Sequence, residues 1–263
     1  MKCSGLTKGL IAIGVLLAAI VGCKQSTEDA HTLAFKQKEA NAYLEFLAAH
    51  PDSAGLRLLT AQKLDSVGRY QEALLQMDTL LSADSTKYGL WMVKASILLD
   101  STDSSAALTA INRALTHYKG EEALLAKAGV FALSGNDSCL QIAGVLANNP
   151  VYSNYINGLY AVHQMDTALA LKYLQRSIQM DPSFADAYVA LARLYLKSAL
   201  PEKAKNVVVE GLTHNDHSIH LLNMTGIVFE HLHQPDSAKT YYQKSLFIKP
   251  YQPELQQKIA AAN

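Results

Sequence analysis

The chain repeats itself every 34 residues, and this period restricts its fold more than any other feature of the sequence. Small residues recur at Ala61, Ala95, Gly158, Ala192 and Gly226. Alanine follows twelve positions after each of them, at Ala73, Ala107, Ala170, Ala204 and Ala238. The intervals in both series are 34, 63, 34 and 34 residues. Since 63 is two periods less five residues, one unit in the middle of the chain is expected to be shortened.

A period of this length is typical of a helical hairpin that stacks on copies of itself. Small residues let the two helices of a hairpin approach closely, and larger aliphatic residues fill the gap to the next hairpin. Such residues follow eight positions after each alanine, at Leu81, Leu115, Ile178, Leu212 and Leu246. Because one hairpin cannot bury its apolar face alone, stacked hairpins share a continuous core. The sequence therefore predicts an all-α solenoid.

The spacing resembles the tetratricopeptide repeat, a helix-turn-helix of 34 residues that is small at its eighth and twentieth positions. Proline stands at the thirty-second position of that family's pattern, as Pro182 and Pro250 do here. The resemblance implies a solenoid over residues 54–252, with repeats at 54–87, 88–121, 122–150, 151–184, 185–218 and 219–252. The third repeat is degenerate, with a first helix expected at Glu122–Leu133 and a shortened second helix at Ser138–Ala147.

Further helices are expected on both sides of the repeats. An amphipathic pattern from Asp29 to His50 predicts a helix that leads into the solenoid, within a segment 23–53 that also holds a short tether. Pro253 opens a short segment in which Leu255 and Ile259, four residues apart, share one helix face. Residues 253–263 are therefore predicted to be a C-terminal capping helix.

Residues 1–22 are expected to be a lipoprotein signal peptide. Two lysines precede an apolar run at residues 9–22, which is shorter than the roughly 20 residues that cross a membrane. The run ends in Ile20-Val21-Gly22-Cys23, which resembles a bacterial lipobox, and the resemblance implies a diacylglyceryl group on Cys23. The alternative is an ordinary cleaved signal with an incidental cysteine. Because Lys24 rather than aspartate follows, the chain is expected on the outer membrane of a bacterial envelope.

Composition and motifs exclude several function classes. The chain has 23 Lys and Arg against 23 Asp and Glu, so it lacks the basic surface of a nucleic-acid-binding protein. It contains no glycine-rich phosphate loop, no His-Glu-x-x-His pattern and no Gly-x-Ser-x-Gly motif. We therefore expect neither an enzyme nor a cofactor. Once the signal peptide is removed and Cys23 is modified, Cys139 is the single remaining free thiol. It is expected to be a small buried residue.

Three histidines suggest an alternative function, the binding of a metal ion or a small ligand. His214, His217 and His220 recur at a spacing of three, in a loop between repeats and at the start of the next helix. They could serve a small-ligand or metal-binding envelope protein, although solvated loop histidines without a structural partner are the favoured explanation. His231 and His233 lie past the other end of that helix, roughly 15 to 20 Å away at 1.5 Å per residue, so five ligands cannot converge.

Aspartate followed by serine or threonine and an apolar residue occurs five times, at residues 52–54, 65–67, 78–80, 166–168 and 236–238. This pattern is similar to the O-glycan acceptor pattern of Bacteroidota secretory proteins. The same residue types are favoured at helix starts and turns, so helix capping is the second explanation.

The resemblance also implies where partners bind, because tetratricopeptide arrays bind proteins and peptides in a groove lined by their first helices. The groove positions of the family's repeat are the second, fifth, ninth, twelfth and thirteenth. In this sequence they include Tyr152, Tyr155, Leu159, His163, Val189, Arg193, Lys197, Asn223, Ile227 and Glu230. The Lys and Asn pair of chaperone-binding members is absent from the fifth and ninth positions of every repeat. We predict a membrane-anchored scaffold that binds envelope proteins or peptides in this groove.

Overall fold

The computed structural model describes residues 33–261, with side chains as far as Ile259. The predicted signal peptide and Cys23 lie outside the described residues. Residues 33–261 form fourteen α-helices and no strand. The helices are α1 Leu33–Ala49, α2 Ala54–Ser66, α3 Tyr70–Ala83, α4 Tyr88–Asp100, α5 Ser104–His117, α6 Glu121–Leu133, α7 Ser138–Val145, α8 Pro150–His163, α9 Thr167–Met180, α10 Ala185–Lys197, α11 Pro201–His214, α12 Ile219–His231, α13 Pro235–Ile248 and α14 Pro253–Ala261.

Helices α2 to α13 form six antiparallel hairpins, and each hairpin packs on the next. The first helix of one hairpin contacts the first helix of its neighbour, as α6 does with α8 and α10 with α12. The third hairpin is the short one, because α7 has only 8 residues. Helix α1 packs on α2 at one end, and α14 packs on α13 at the other.

The periodic small residues lie where the two helices of a hairpin cross. Every alanine of the second series is buried, from Ala73 at 0% exposed to Ala238 at 2%. At the first series, a Cβ on Gly158 would collide with the Leu174 side chain, and one on Gly226 would collide with the Tyr242 ring. Because close helix approach is needed at the same point of each unit, the period predicts an all-α solenoid correctly.

The turn between the two helices of a hairpin has the same backbone conformation in all six units. One residue in each turn has a positive φ, and these residues are Gly68, Thr102, Gly135, Met165, Ala199 and His233. Their φ values run from 56° to 78°. Four of the six are not glycine, so the helix pairs hold their turns in a left-handed conformation that costs these residues energy.

Side-chain caps fix several helix starts. Asp103 Oδ1 accepts from Ala106 N at 2.9 Å, and Asp166 Oδ1 accepts from Leu169 N at 3.0 Å. Ser53 caps α2 in the same way, at a longer distance of 3.4 Å. The capping explanation therefore accounts for two of the five Asp-Ser and Asp-Thr sites, those at residues 52–54 and 166–168.

The two ends of the solenoid touch. The loop between α13 and α14 reaches the first two hairpins, where Lys249 Nζ lies 2.7 Å from Asp100 Oδ2. Tyr251 of the same loop lies against Tyr70, with ring centroids 6.2 Å apart. Within residues 33–261 no helix combines the length and apolar character that crossing a bilayer requires.

Candidate protein-binding groove

The first helices α8, α10 and α12 lie side by side, so residues at equivalent repeat positions form rows across them. Asp186 and His220, one period apart, demonstrate the alignment, because Asp186 Oδ1 lies 3.3 Å from His220 Nδ1. Tyr152 occupies the same position one period earlier. We call the surface formed by these rows of α8, α10 and α12 the groove.

An aromatic cluster occupies the α8 side of the groove. Tyr152 and Tyr155, one helical turn apart, both contact Phe184 in the turn before α10. The ring centroid of Phe184 lies 5.6 Å from that of Tyr152 and 5.1 Å from that of Tyr155. The Tyr155 ring meets Phe184 edge to face. The sequence analysis did not include Phe184, although it is the last residue of its predicted repeat and directly precedes a groove helix. Both tyrosines remain half-buried.

Charged groups flank this aromatic cluster. Burial raises the pKa of Tyr155 well above its usual value, the Asp186 carboxylate raises it further, and Arg193 opposes both. The Tyr155 hydroxyl therefore stays protonated at physiological pH. Arg193 and Lys197 are exposed and form no salt bridge with any residue from 33 to 261. Of these two cations without carboxylate partners, Arg193 lies near enough to act on Tyr155, and Lys197 follows one helical turn further along α10.

Three other predicted residues of α8 and α10 have mainly packing contacts. Leu159 is 8% exposed and belongs to the core between the third, fourth and fifth hairpins. The His163 imidazole packs against the turn at Gly135, leaving no room there for a Cβ. Val189 is half-buried against the cluster that joins α10 to α12. These side chains support the groove more than they line it.

The capping helix and the loop before it cover the predicted residues of the last repeat. Asn223 Nδ2 donates to Gln252 Oε1 at 2.7 Å. Glu230 pairs with Lys258 of α14. Ile227 packs against the cluster of α12, α13 and α14. Of the ten predicted residues, the capping helix and the core leave five uncovered. His163 is exposed and rests on the turn of the third hairpin, and we call the other four, Tyr152, Tyr155, Arg193 and Lys197, the open group.

The three histidines of the alternative function do not converge. His217 pairs with its neighbour Asp216, whereas His220 pairs with Asp186 of the preceding repeat. The hydrogen bond that His220 donates to the Asp186 carboxylate raises the pKa of His220, while burial lowers it. No group of three His, Cys, Asp or Glu residues in the described part of the chain is placed to hold a metal ion.

Cys139 is fully buried at the start of α7, with 0% of its surface exposed. Burial raises the pKa of its thiol, so the thiolate is disfavoured at neutral pH. Because the thiolate is the nucleophilic form, Cys139 acts as a small apolar core residue.

Residues 161–223 match the family model of the tetratricopeptide repeat. The matched stretch runs from the end of α8 into α12 and includes both free cations of the groove. No sequence among curated proteins matches the chain.

Solved structures of similar fold come from several systems. A tetratricopeptide repeat protein from Parabacteroides merdae is similar with a TM-score of 0.60 and 15% identity, over 87% of this chain and 93% of that one. A chain of the APC/C hetero-tetramer Cut9-Hcn1 gives a TM-score of 0.53 and 18% identity, over 89% of this chain and 47% of that one. PilW, a widely conserved type IV pilus biogenesis factor, gives a TM-score of 0.50 and 19% identity, over 78% of this chain and 98% of that one. Residues 161–223 thus belong to the tetratricopeptide repeat family, and the chain has the all-α solenoid fold of such repeat proteins.

Proposed function

We propose that the chain is a scaffold lipoprotein of the bacterial envelope, which captures a partner protein through the groove. The observation that carries this proposal is the open group of Tyr152, Tyr155, Arg193 and Lys197. Two half-buried tyrosines share the groove with two cations that have no carboxylate partner among residues 33–261, Arg193 near Tyr155 and Lys197 one helical turn further along α10. Tyr and Arg are the residue types most enriched at binding hot spots.

The chemistry of this group defines the partner. The tyrosine rings offer apolar area at a small loss of conformational entropy, and Arg193 and Lys197 attract carboxylates. We infer that the partner is an apolar and acidic segment, either extended or helical. The aromatic contacts would supply most of the affinity, whereas the cations would orient the segment.

The proposed location depends on Cys23. Leu33, the first described residue, lies ten positions after Cys23, and a fully extended stretch of that length spans at most about 35 Å. A diacylglyceryl anchor on Cys23 would therefore hold the solenoid close to the membrane surface, on the outer membrane. The likeness to PilW, a pilus biogenesis factor, supports an envelope role for the same fold.

The proposal includes no catalytic activity. Cys139 is buried with a raised thiol pKa, and the three candidate histidines are paired or separate. A binding role for the groove explains the exposed cations, whereas a hydrolytic role would need a nucleophile and base that we do not find among the described residues.

The test is capture of partners in the native envelope by cross-linking, followed by mass spectrometry. We expect Tyr155→Ala combined with Arg193→Ala to weaken capture of the main partner by about 30-fold, or about 2 kcal/mol, if both are hot spots. Helical content should not change, because neither residue belongs to the buried core.

A second pair of substitutions controls for nonspecific loss. Gln175→Ala with Lys205→Ala removes a polar residue and a cation from second helices, outside the groove. Capture should stay nearly unchanged in this variant. If this pair abolishes capture while the groove pair does not, the partner binds outside the groove and the proposal is wrong.

A further inference from the structure

The loop between α13 and α14 makes an ionic contact with the opposite end of the solenoid. Lys249 Nζ lies 2.7 Å from Asp100 Oδ2 at the end of α4, and 3.9 Å from Asp65 Oδ2 near the end of α2. The side chains of Lys249 and Asp65 are only 16% and 19% exposed. The sixth hairpin thus contributes one cation to two carboxylates from the first and second hairpins.

An aromatic contact lies next to these charges. The Tyr251 ring rests on Gly68, where a Cβ would overlap the ring, and it meets Tyr70 edge to face. Gly68 has a φ of 78°, so this turn needs glycine for its backbone conformation as well as for the space. A polar and an apolar contact therefore join the same two ends of the chain.

The loop is held in this conformation by its own end of the solenoid. Gln252 Nε2 donates to Ser245 Oγ and to the Lys249 carbonyl, both at 2.9 Å. Its Oε1 accepts from Asn223 of α12 at 2.7 Å, and Pro250 is buried. Because the loop is already ordered by these bonds, closing the contact immobilises few additional groups.

The contact lies close to the groove. The Asp100 carboxylate raises the pKa of His220, which belongs to the first row of the groove, and Lys249 lowers it. The hydrogen bond to Asp186 has the largest effect on this pKa and raises it, whereas burial lowers it.

We propose that Lys249 and Tyr251 form a latch that closes the solenoid end to end. The contact consists of one ionic cluster and one aromatic pair, so it is small enough to open and close without unfolding the hairpins it joins. The closure does not depend on the proposed partner, because it is a property of the chain alone.

The latch can be tested in the unmodified full-length protein with a zero-length carbodiimide cross-linker, which joins an amine to a carboxyl group in contact with it. The expected product is an amide between Lys249 and Asp100 or Asp65 within one chain, found by mass spectrometry of the monomer. Lys94 and Asp78, 2.5 Å apart on neighbouring hairpins, provide an internal reference. If the reference pair cross-links and Lys249 joins neither aspartate, the latch does not exist in solution.

Two variants test the aromatic contact. Tyr251→Ala should lower the Lys249 cross-link several-fold relative to the reference, whereas Tyr118→Ala, at an exposed tyrosine outside the latch, should leave it unchanged. An undiminished Lys249 cross-link in Tyr251→Ala would contradict the part that Tyr251 plays in the latch.

Discussion

Replacing a helical glycine by alanine should stabilise this protein at Gly129 and destabilise it at Gly226. Both glycines lie inside first helices, Gly129 in α6 and Gly226 in α12. Alanine in a helix interior is favoured over glycine by about 1 kcal/mol, because glycine loses more backbone entropy on folding. The packing around each glycine decides whether this gain survives.

The two sites differ in the space for a methyl group. A Cβ on Gly129 meets no atom within 4 Å, so the full gain of about 1 kcal/mol is expected. A Cβ on Gly226 would lie 2.7 Å from Tyr242 Cζ and closer to two other ring carbons. Tyr242 is 1% exposed and cannot move aside, so overpacking should cost about 3 kcal/mol and leave a net loss of about 2 kcal/mol.

Thermal unfolding followed by circular dichroism measures both effects. For a chain of this size we expect Gly129→Ala to raise Tm by about 2 to 4 °C and Gly226→Ala to lower it by about 4 to 8 °C. Gly158→Ala should be intermediate, because its nearest contact is Leu174 Cδ2 at 2.7 Å, the end of a flexible side chain. Equal shifts at Gly129 and Gly226 would contradict the hairpin packing described above.

Two further predictions concern the core and the anchor. Ala204 is 0% exposed, so Ala204→Leu should force α10 and α11 apart and destabilise the protein by about 1 to 3 kcal/mol, measured by thermal unfolding; an unchanged Tm would argue against this packing. Cys23→Ser should release the protein into the soluble envelope fraction or leave its signal uncut, as seen by fractionation and mass. Wild-type maturation and fractionation of that variant would refute the lipoprotein assignment.

The sequence predicts the helices well because packing in a solenoid is local. Ala73 and Ala204 are small for the same reason in different repeats, and each contacts residues of its own hairpin or the next one. A periodic sequence pattern therefore predicts the contacts within each hairpin and between adjacent hairpins. The degenerate third hairpin was also predictable, since the five missing residues shorten α7 while leaving α6 a complete helix.

The sequence could not predict which groove positions remain open or that the ends meet. Asn223 and Glu230 occupy groove positions by spacing, yet Gln252 and Lys258 cover them, because the last repeat has a cap where an inner repeat has a successor. The contact of Lys249 with Asp100 depends on the summed rotation of all the hairpins between them. No short stretch of sequence encodes that sum.

The turn at Gly68 brings the first and last parts of the described chain to one place. Arg69 Nη1 donates to Asn41 Oδ1 of α1 at 2.5 Å, while Tyr251 covers the glycine beside it from the C-terminal side. A short linker between the two ends should therefore permit circular permutation, with new termini opened at the exposed turn between α6 and α7. Such a rearranged chain would keep five of the six hairpins intact, and its termini would divide the third hairpin, whose second helix has only 8 residues, instead of lying beside the latch.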